Sequence, residues 1–136
     1  MSTFFLDFLG PPEPVAGLRV TGKCSAAFNA IGELPELKWM KGEELGVEAR
    51  RFYVEYATVE SALDGKWYGG QGPPVLPGRE MFAEPGTITY FKLTSKHLVP
   101  GANLIFRVRS ASDHAIGRPS RQTRKDECIT PPSGKI

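Results

Sequence analysis

The side chains with the greatest potential for chemistry in this chain of 136 residues are two cysteines and two histidines. Asp113 and His114 are adjacent, and a histidine oriented by a carboxylate is one part of a nucleophilic catalytic site. The other part would be a serine or cysteine nucleophile beside His114 or His97. Whether such a site exists therefore depends on the elements that position these residues.

Metal and phosphate sites require closely spaced ligands, and the chain offers few. Cys24 and Cys128 lie near opposite ends, with no cysteine or histidine at the spacing of a zinc site. The acidic pairs at 43–44 and 126–127 lack the spacing of a calcium loop. The glycine-rich segment 69–74 lacks the lysine and hydroxyl residue that bind a nucleotide phosphate. We therefore expect neither a metal nor a cofactor.

Six basic residues between positions 107 and 125 are candidates for anion binding: Arg107, Arg109, Arg118, Arg121, Arg124 and Lys125. On two paired strands they would form a positive stripe suited to a sulfated glycan such as heparan sulfate, or to an acidic protein face. The alternative is a solvated face on which Glu55, Asp126 or Glu127 neutralises part of the charge. Nucleic-acid binding is not expected, because 17 basic and 15 acidic residues give a net charge of only +2.

The elements are predicted to be β-strands. An apolar share of 40%, with 15 glycines and 12 prolines, describes a globular chain with many turns. Runs of alternating apolar and polar residues lie between the turns, and no segment has a convincing helical period. The predicted strands are residues 17–21, 37–39, 51–58, 65–68, 87–93, 103–110 and 120–128. A sandwich of two sheets is the simplest way to cover their apolar faces.

The alternation also predicts the core. Leu37 and Trp39 are expected to point inward around an outward Lys38. Every second residue of strands 51–58 and 103–110 is also expected to point inward. On the last of these, Ile105, Arg107 and Arg109 are expected to point outward. The predicted core residues are Trp39, Phe52, Val54, Tyr56, Leu98, Leu104, Phe106 and Val108.

Several of these features occur in an order that resembles the fibronectin type III domain over residues 11–132. They are a proline-rich start, Trp39, the run Phe-Tyr-Val-Glu-Tyr at 52–56, Trp67, Leu-Val-Pro-Gly at 98–101 before Phe-Arg-Val-Arg at 106–109, and Gly-Arg-Pro-Ser at 117–120. The resemblance implies a seven-stranded immunoglobulin-like β-sandwich. Residues 1–10 would then be an N-terminal extension or linker, and 133–136 a C-terminal linker.

The chain departs from the family at Leu104. Family members carry a tyrosine there, whose hydroxyl bonds back to the backbone of the preceding turn. Leucine can fill the core but cannot form this hydrogen bond. We therefore expect that another group satisfies the backbone of this turn, or that the turn is looser.

The resemblance also bears on the cysteines and histidines. By themselves, two cysteines are as typical of a cytosolic protein with reduced thiols as of an extracellular protein with a disulfide. In the family's topology Cys24 and Cys128 fall at the same pole, which implies a disulfide and an extracellular protein. Asp113 and His114 fall in a hairpin at one pole and His97 near a turn at the other, so we expect that the protein is not an enzyme.

With the disulfide, the outline is similar to the fibronectin modules of neural cell-adhesion molecules of the immunoglobulin superfamily, such as neuroglian, the L1 group and the contactins. This similarity implies a spacer and contact module of a cell-surface adhesion or guidance receptor. Its partners would be neighbouring immunoglobulin or fibronectin modules, other cell-surface proteins and heparan sulfate. It would meet the membrane only through its parent protein.

Two other functions are open at this stage. An intracellular module of a muscle or cytoskeletal scaffold protein would have the same fold with reduced cysteines. The ligand-binding module of a cytokine receptor would suit Arg107 and Arg109, but the Trp-Ser-x-Trp-Ser motif of that group is absent.

Overall fold

The computed structural model describes residues 10–29, 34–40, 48–70, 74–76, 88–93 and 98–131. Within these ranges there are six strands and two short helices. The strands are β1 (Ala16–Thr21), β2 (Glu36–Met40), β3 (Arg51–Thr58), β4 (Ile88–Lys92), β5 (Leu104–Ala111) and β6 (Ile116–Pro119); the helices are α1 (Ala26–Asn29) and α2 (Val59–Leu63).

The strands form two antiparallel sheets, in the orders β1-β2-β4 and β3-β5-β6. Two pairs join strands that are consecutive in sequence, β1 with β2 and β5 with β6, while β2 pairs with β4 and β3 pairs with β5 across a crossover. The architecture is therefore all-β, as the alternation of apolar residues predicts. Five of the seven predicted strands overlap a regular strand of the structure, and the exceptions are 65–68 and 120–128.

The core lies between the two sheets. Trp39, Phe52 and Phe106 are the largest of its fully buried side chains, and the rings of Trp39 and Phe52 meet edge to face with centroids 5.5 Å apart. Of the other predicted core residues, Leu98, Leu104 and Val108 are buried, while Val54 and Tyr56 are partly buried against the same cluster.

Ile105 differs from the prediction. It was expected to point into solvent, but only 2% of it is exposed, and it lies opposite Ala57, which is also buried. Strict alternation fails here because this end of the β3-β5 pair is covered on both faces.

The two helices are also a correction, since the sequence predicted none. The helix α2 begins directly after β3, where the Thr58 hydroxyl accepts a hydrogen bond from Ser61 N (3.1 Å). This is an ordinary N-cap, but five residues are too few to show a helical period. After α2, the predicted strand 65–68 is reduced to a single bridge between Tyr68 and Tyr56.

The prediction of a last strand over 120–128 is wrong in its bounds. The regular strand is β6, and the chain after it follows β5 irregularly. Side-chain hydroxyls take the place of backbone carbonyls there: Val108 N donates to Ser120 Oγ (3.0 Å) and Phe106 N to Thr123 Oγ1 (3.0 Å). Because a serine or threonine hydroxyl can occupy the position of a carbonyl, β5 is paired along this edge without a regular partner.

The segment around Thr130 supplies the hydrogen bonds that a leucine at position 104 cannot make. Thr130 Oγ1 accepts from Ala102 N (2.9 Å) and donates to Val99 O (2.5 Å), while Gly101 N donates to Pro131 O (2.6 Å). The turn before β5 is thus held by a threonine from the end of the domain instead of by a tyrosine at its own corner.

Cys24 and Cys128 form a disulfide, with Cα atoms 5.4 Å apart and a sequence separation of 104 residues. Both cysteines are buried. Closing a loop of this length stabilises the fold by about 4 to 5 kcal/mol in the chain-entropy account. The bridge joins the segment after β1 to the segment that pairs with β5, and so links the two sheets covalently.

A pair of serine variants tests the pairing of β5. Ser120→Ala leaves the buried Val108 N without its acceptor, so we expect a loss of about 1 to 2 kcal/mol in the free energy of unfolding. Ser110 is the matched control: its hydroxyl is also buried but has no hydrogen-bond partner among the described residues. Ser110→Ala should be neutral or slightly stabilising in urea unfolding, and equal losses for the two variants would contradict the arrangement.

Candidate functional site

The outer face of the β3-β5-β6 sheet carries the densest group of polar and aromatic side chains that the sequence singled out. On β3 and β5 the residues that alternate with the core point to this face, so Glu55 lies opposite Arg107 and Tyr53 opposite Arg109. Cross-strand neighbours of this kind are close enough for direct contact. The sheet therefore places one carboxylate between two guanidinium groups.

Glu55 binds both arginines through one oxygen. Its Oε1 accepts from Arg107 Nε (2.7 Å) and from Arg109 Nε (3.1 Å), and the three side chains are 13%, 21% and 31% exposed. Arg109 Nη1 also donates to Gly117 O (3.1 Å), which ties β5 to β6. These partly buried, charge-assisted bonds fix the guanidinium planes and leave the cluster with one net positive charge.

Trp67 covers this cluster. The Arg107 guanidinium lies over its ring, 4.1 Å from the centroid, in a cation–π contact. The backbone next to it is fixed, because Tyr68 N donates to Tyr56 O and Tyr56 N to Tyr68 O (2.9 Å each). Glu55 is thus bonded to Arg107, and Arg107 is stacked on Trp67. The guanidinium groups of Arg107 and Arg109 are both engaged, and neither is a free surface charge.

Two glycines allow the chain after Tyr68 to lie directly on the sheet. A Cβ at Gly69 would be 2.7 Å from the ring of Tyr56, and one at Gly70 would be 2.7 Å from Glu55 Oε2. Gly69 also has a φ of 87°, in the left-handed region that favours glycine. The segment lacks the residues of a phosphate-binding loop, and its glycines instead permit close packing against Tyr56 and Glu55.

Together these residues form an open basin, which we call the contact face, with a cavity volume of about 690 Å³. It is lined by Tyr53, Glu55, Trp67, Tyr68, Arg109 and Ile116, among others. Tyr68 and Ile116 are 52% and 56% exposed. Tryptophan, tyrosine and arginine around an exposed apolar residue are the composition of protein-contact hot spots.

The six basic candidates do not form one stripe, which corrects the expectation from the sequence. Arg109 lines the contact face and Arg107 packs beside it on Glu55 and Trp67, whereas Arg121 and Arg124 line a separate groove beside β1. Arg118 and Lys125 are exposed, on β6 and in a turn. The stripe is divided because the chain leaves regular pairing after Pro119.

Glu55 neutralises part of the charge of Arg107 and Arg109, which is the alternative to a free positive stripe. That Trp67 and Tyr68 belong to the same surface was not predicted from the alternation of residues. The two glycines that follow them are the signal that could have indicated it.

The residues considered for catalysis are in a different place. Asp113 and His114 are exposed in the hairpin between β5 and β6, where Asp113 lies 3.7 Å from Arg51 and His114 N donates to Ser112 Oγ. His97 lies outside the described residues. In the described ranges no three histidine, cysteine or acidic side chains are grouped as a metal site requires, and no helix there is long and apolar enough to cross a membrane.

No protein-family model and no curated protein sequence matches the chain. Solved structures do. Domains A168-A170 from titin superpose with a TM-score of 0.52 at 16% identity, covering 84% of this chain and 31% of that one. The FN1-FN3 domains of chicken CNTN1, contactin-1, give a TM-score of 0.51 at 17% identity, covering 85% and 31%. At this identity the similarity establishes the fibronectin type III fold, and the chain spans about a third of either structure.

The Glu55 cluster can be tested by removing its charge. Glu55→Gln keeps the shape of the side chain but weakens two charge-assisted bonds, so we expect the free energy of unfolding to fall by about 1 to 3 kcal/mol. Glu60→Gln, at an exposed position of α2, is the control and should change it by no more than about 0.5 kcal/mol. Similar losses of unfolding free energy for both variants in urea would show that the bonds of Glu55 do not stabilise this face of the sheet.

Proposed function

We propose that this chain is a fibronectin type III module of a multidomain cell-surface adhesion or guidance receptor, where it serves as a spacer and offers the contact face to a protein partner. The observation that carries the proposal is the position of the first and the last described segments of the domain, at Pro11 and at Pro131. They lie at opposite poles of a sandwich that a disulfide closes.

At one pole the start of the described chain packs beside β6. A Cβ at Gly117 would be 2.8 Å from Pro12 O and 3.4 Å from Pro11 Cβ, so the proline-rich segment lies directly against the strand. Gly117 follows Ile116, which pairs with Ala111 next to the hairpin that joins β5 and β6. The chain therefore begins its path through the domain at the hairpin pole.

At the other pole Pro131 is bound to Gly101, in the turn before β5. The eight residues of β5 separate this turn from the hairpin, a distance of about 25 Å in extended chain. A domain whose polypeptide enters at one pole and leaves at the other adds its full length to a linear array of modules. This geometry suits a spacer between neighbouring immunoglobulin or fibronectin modules.

A protein partner fits the contact face better than a small molecule does. The basin is open, and its polar groups are already engaged, since Glu55 binds two arginines and Arg107 lies on Trp67. Exposed Tyr68 and Ile116 remain as apolar contacts, with the remaining N–H donors of Arg109 between them. Prearranged aromatic and arginine side chains lose little entropy when a partner binds.

The alternative is an intracellular module of a muscle or cytoskeletal scaffold protein. The titin domains, which are as similar to this chain as the CNTN1 domains are, support it. The bridge between Cys24 and Cys128 favours the extracellular function, because disulfides persist in oxidising compartments and are rare in the cytosol.

The redox state in the native protein separates the two functions. We expect that protein isolated from its own cells, with thiols alkylated before lysis, yields a Cys24–Cys128 peptide pair in mass spectrometry without reduction. Alkylated Cys24 and Cys128 in that experiment, with a bridge forming only after oxidation in vitro, would support the intracellular alternative.

Binding to live cells tests the contact face. A fluorescent tetramer of the oxidised module should bind neuronal cells after heparinase treatment, and Tyr68→Ser with Ile116→Ser should reduce binding about tenfold or more, as expected for hot-spot residues. Leu63→Ser with Leu76→Ser removes two apolar side chains of 83% and 68% exposure outside the basin and is the control. Equal binding by both double variants would contradict the proposal.

A further inference from the structure

A second groove, which we call the edge groove, lies where β1 meets the segment after β6. β1 is the outer strand of one sheet, and this segment follows the outer strand of the other. The groove has a cavity volume of about 680 Å³. Arg19 lines it from β1, and Arg121, Gln122 and Arg124 line it from the opposite side. Three guanidinium groups from two distant parts of the chain thus share one groove.

An irregularity in β1 positions Arg19. The pairing register between β1 and β2 shifts between Ala16 and Arg19, and Gly17 has a φ of 66°. Bulges of this kind bend a strand and redirect its side chains. Arg19 Nη1 donates back to Gly17 O (3.0 Å), which holds the guanidinium beside the bulge.

Hydroxyl anchors position Arg121. Ser120 and Thr123 are buried against β5. The Ser120 hydroxyl accepts a hydrogen bond from Val108 N, and the Thr123 hydroxyl accepts one from Phe106 N. The two residues between these anchors, Arg121 and Gln122, are exposed and line the groove. The same bonds that pair the edge of β5 therefore turn Arg121 away from the core.

The carboxylate nearest to the groove is engaged by the backbone. Glu127 Oε1 accepts from Val20 N (3.1 Å) and Oε2 from Arg124 N (2.7 Å), and only 16% of the side chain is exposed. Glu127 therefore closes the turn and joins it to β1. Glu127 also lines the groove and forms a long ion pair with Arg124, whose Nε is 3.9 Å from Oε2, so it offsets part of the charge of that arginine.

The arginines of the edge groove are available for a ligand. Arg124 also lies 3.5 Å from Asp126, but these side chains are 80% and 68% exposed, and such a pair has little strength in water. Within the described part of the chain, the guanidinium of Arg121 forms no ion pair, and that of Arg19 is bonded to Gly17 O alone. This contrasts with Arg107 and Arg109, which share Glu55.

From this arrangement we propose that the edge groove binds a sulfated glycan chain. A linear polyanion with repeated sulfate groups matches separate guanidinium groups along an open groove, and guanidinium binds such oxyanions through paired hydrogen bonds. An acidic peptide added as a further strand fits less well. The bulge, Gly17 and Pro14 interrupt the edge of β1 that such a strand would have to follow.

This proposal is independent of the contact face, because the two surfaces share no residue. It also narrows the glycan site that the sequence suggested for six basic residues to Arg121 and Arg124, and adds Arg19 from β1. Failure of either proposal would therefore leave the other standing.

The test is the affinity of the oxidised domain for a heparin oligosaccharide at several salt concentrations. The groove variant carries Arg19→Gln, Arg121→Gln and Arg124→Gln. The control carries Arg50→Gln, Lys66→Gln and Arg118→Gln, which removes the same charge from exposed positions outside the groove. Thermal unfolding of each variant checks that the fold is retained.

We expect the dissociation constant of the groove variant to rise about tenfold or more at low salt, and that of the control to change less than about threefold. The slope of log Kd against log salt should fall by about 2 to 3 in the groove variant alone, as counterion release from a polyanion predicts. Equal weakening of both variants would overturn the proposal, because bulk charge would then explain the binding.

Two further ligands distinguish sulfate from other anions. Chemically desulfated heparin, which keeps its carboxylates, should bind at least about tenfold more weakly than heparin. A polyglutamate peptide should also bind more weakly. Heparin-like affinity for polyglutamate, lost in the groove variant, would overturn the proposal and show that the edge groove takes an acidic polypeptide.

Discussion

The central strand β5 must have both of its backbone edges satisfied, since most of its side chains are buried. β3 satisfies one edge in regular register over the full length of both strands. The other edge faces a segment that is regular for only four residues, and hydroxyls of Ser120 and Thr123 complete the pairing. Because these hydroxyls must reach into the sheet, they set the path of the chain from Pro119 to the disulfide at Cys128.

That path creates two surfaces with different electrostatics. On the contact face the arginines lie in register with Glu55, so one of their two positive charges is neutralised, and the exposed apolar residues beside them are aromatic and aliphatic. At the edge groove the partly buried carboxylate of Glu127 is bound to two backbone amides. Guanidinium groups there remain available to a ligand. Ile116 and Arg121 are five positions apart in sequence, but they line surfaces of different polarity.

The strands follow from the sequence because alternation of apolar residues is a local property. The bounds predicted for β3 are those observed, and Trp39, Phe52 and Phe106 lie in the core as the alternation required. The resemblance to the fibronectin type III domain led to the pairing of Cys24 with Cys128, which topology brings together across 104 residues. The helix α2 was missed because five residues carry no periodic signal.

The sequence by itself thus determined most of the sheet-forming segments, most of the core and, through a family resemblance, the fold and the disulfide. Only the tertiary structure decided which charges are free. Whether Arg107 is paired depends on Glu55, which is 52 residues away, and whether Arg121 faces solvent depends on hydroxyls that bond to β5. Interaction between charges depends on distance and burial, and those quantities exist only once distant segments of the chain have been brought together.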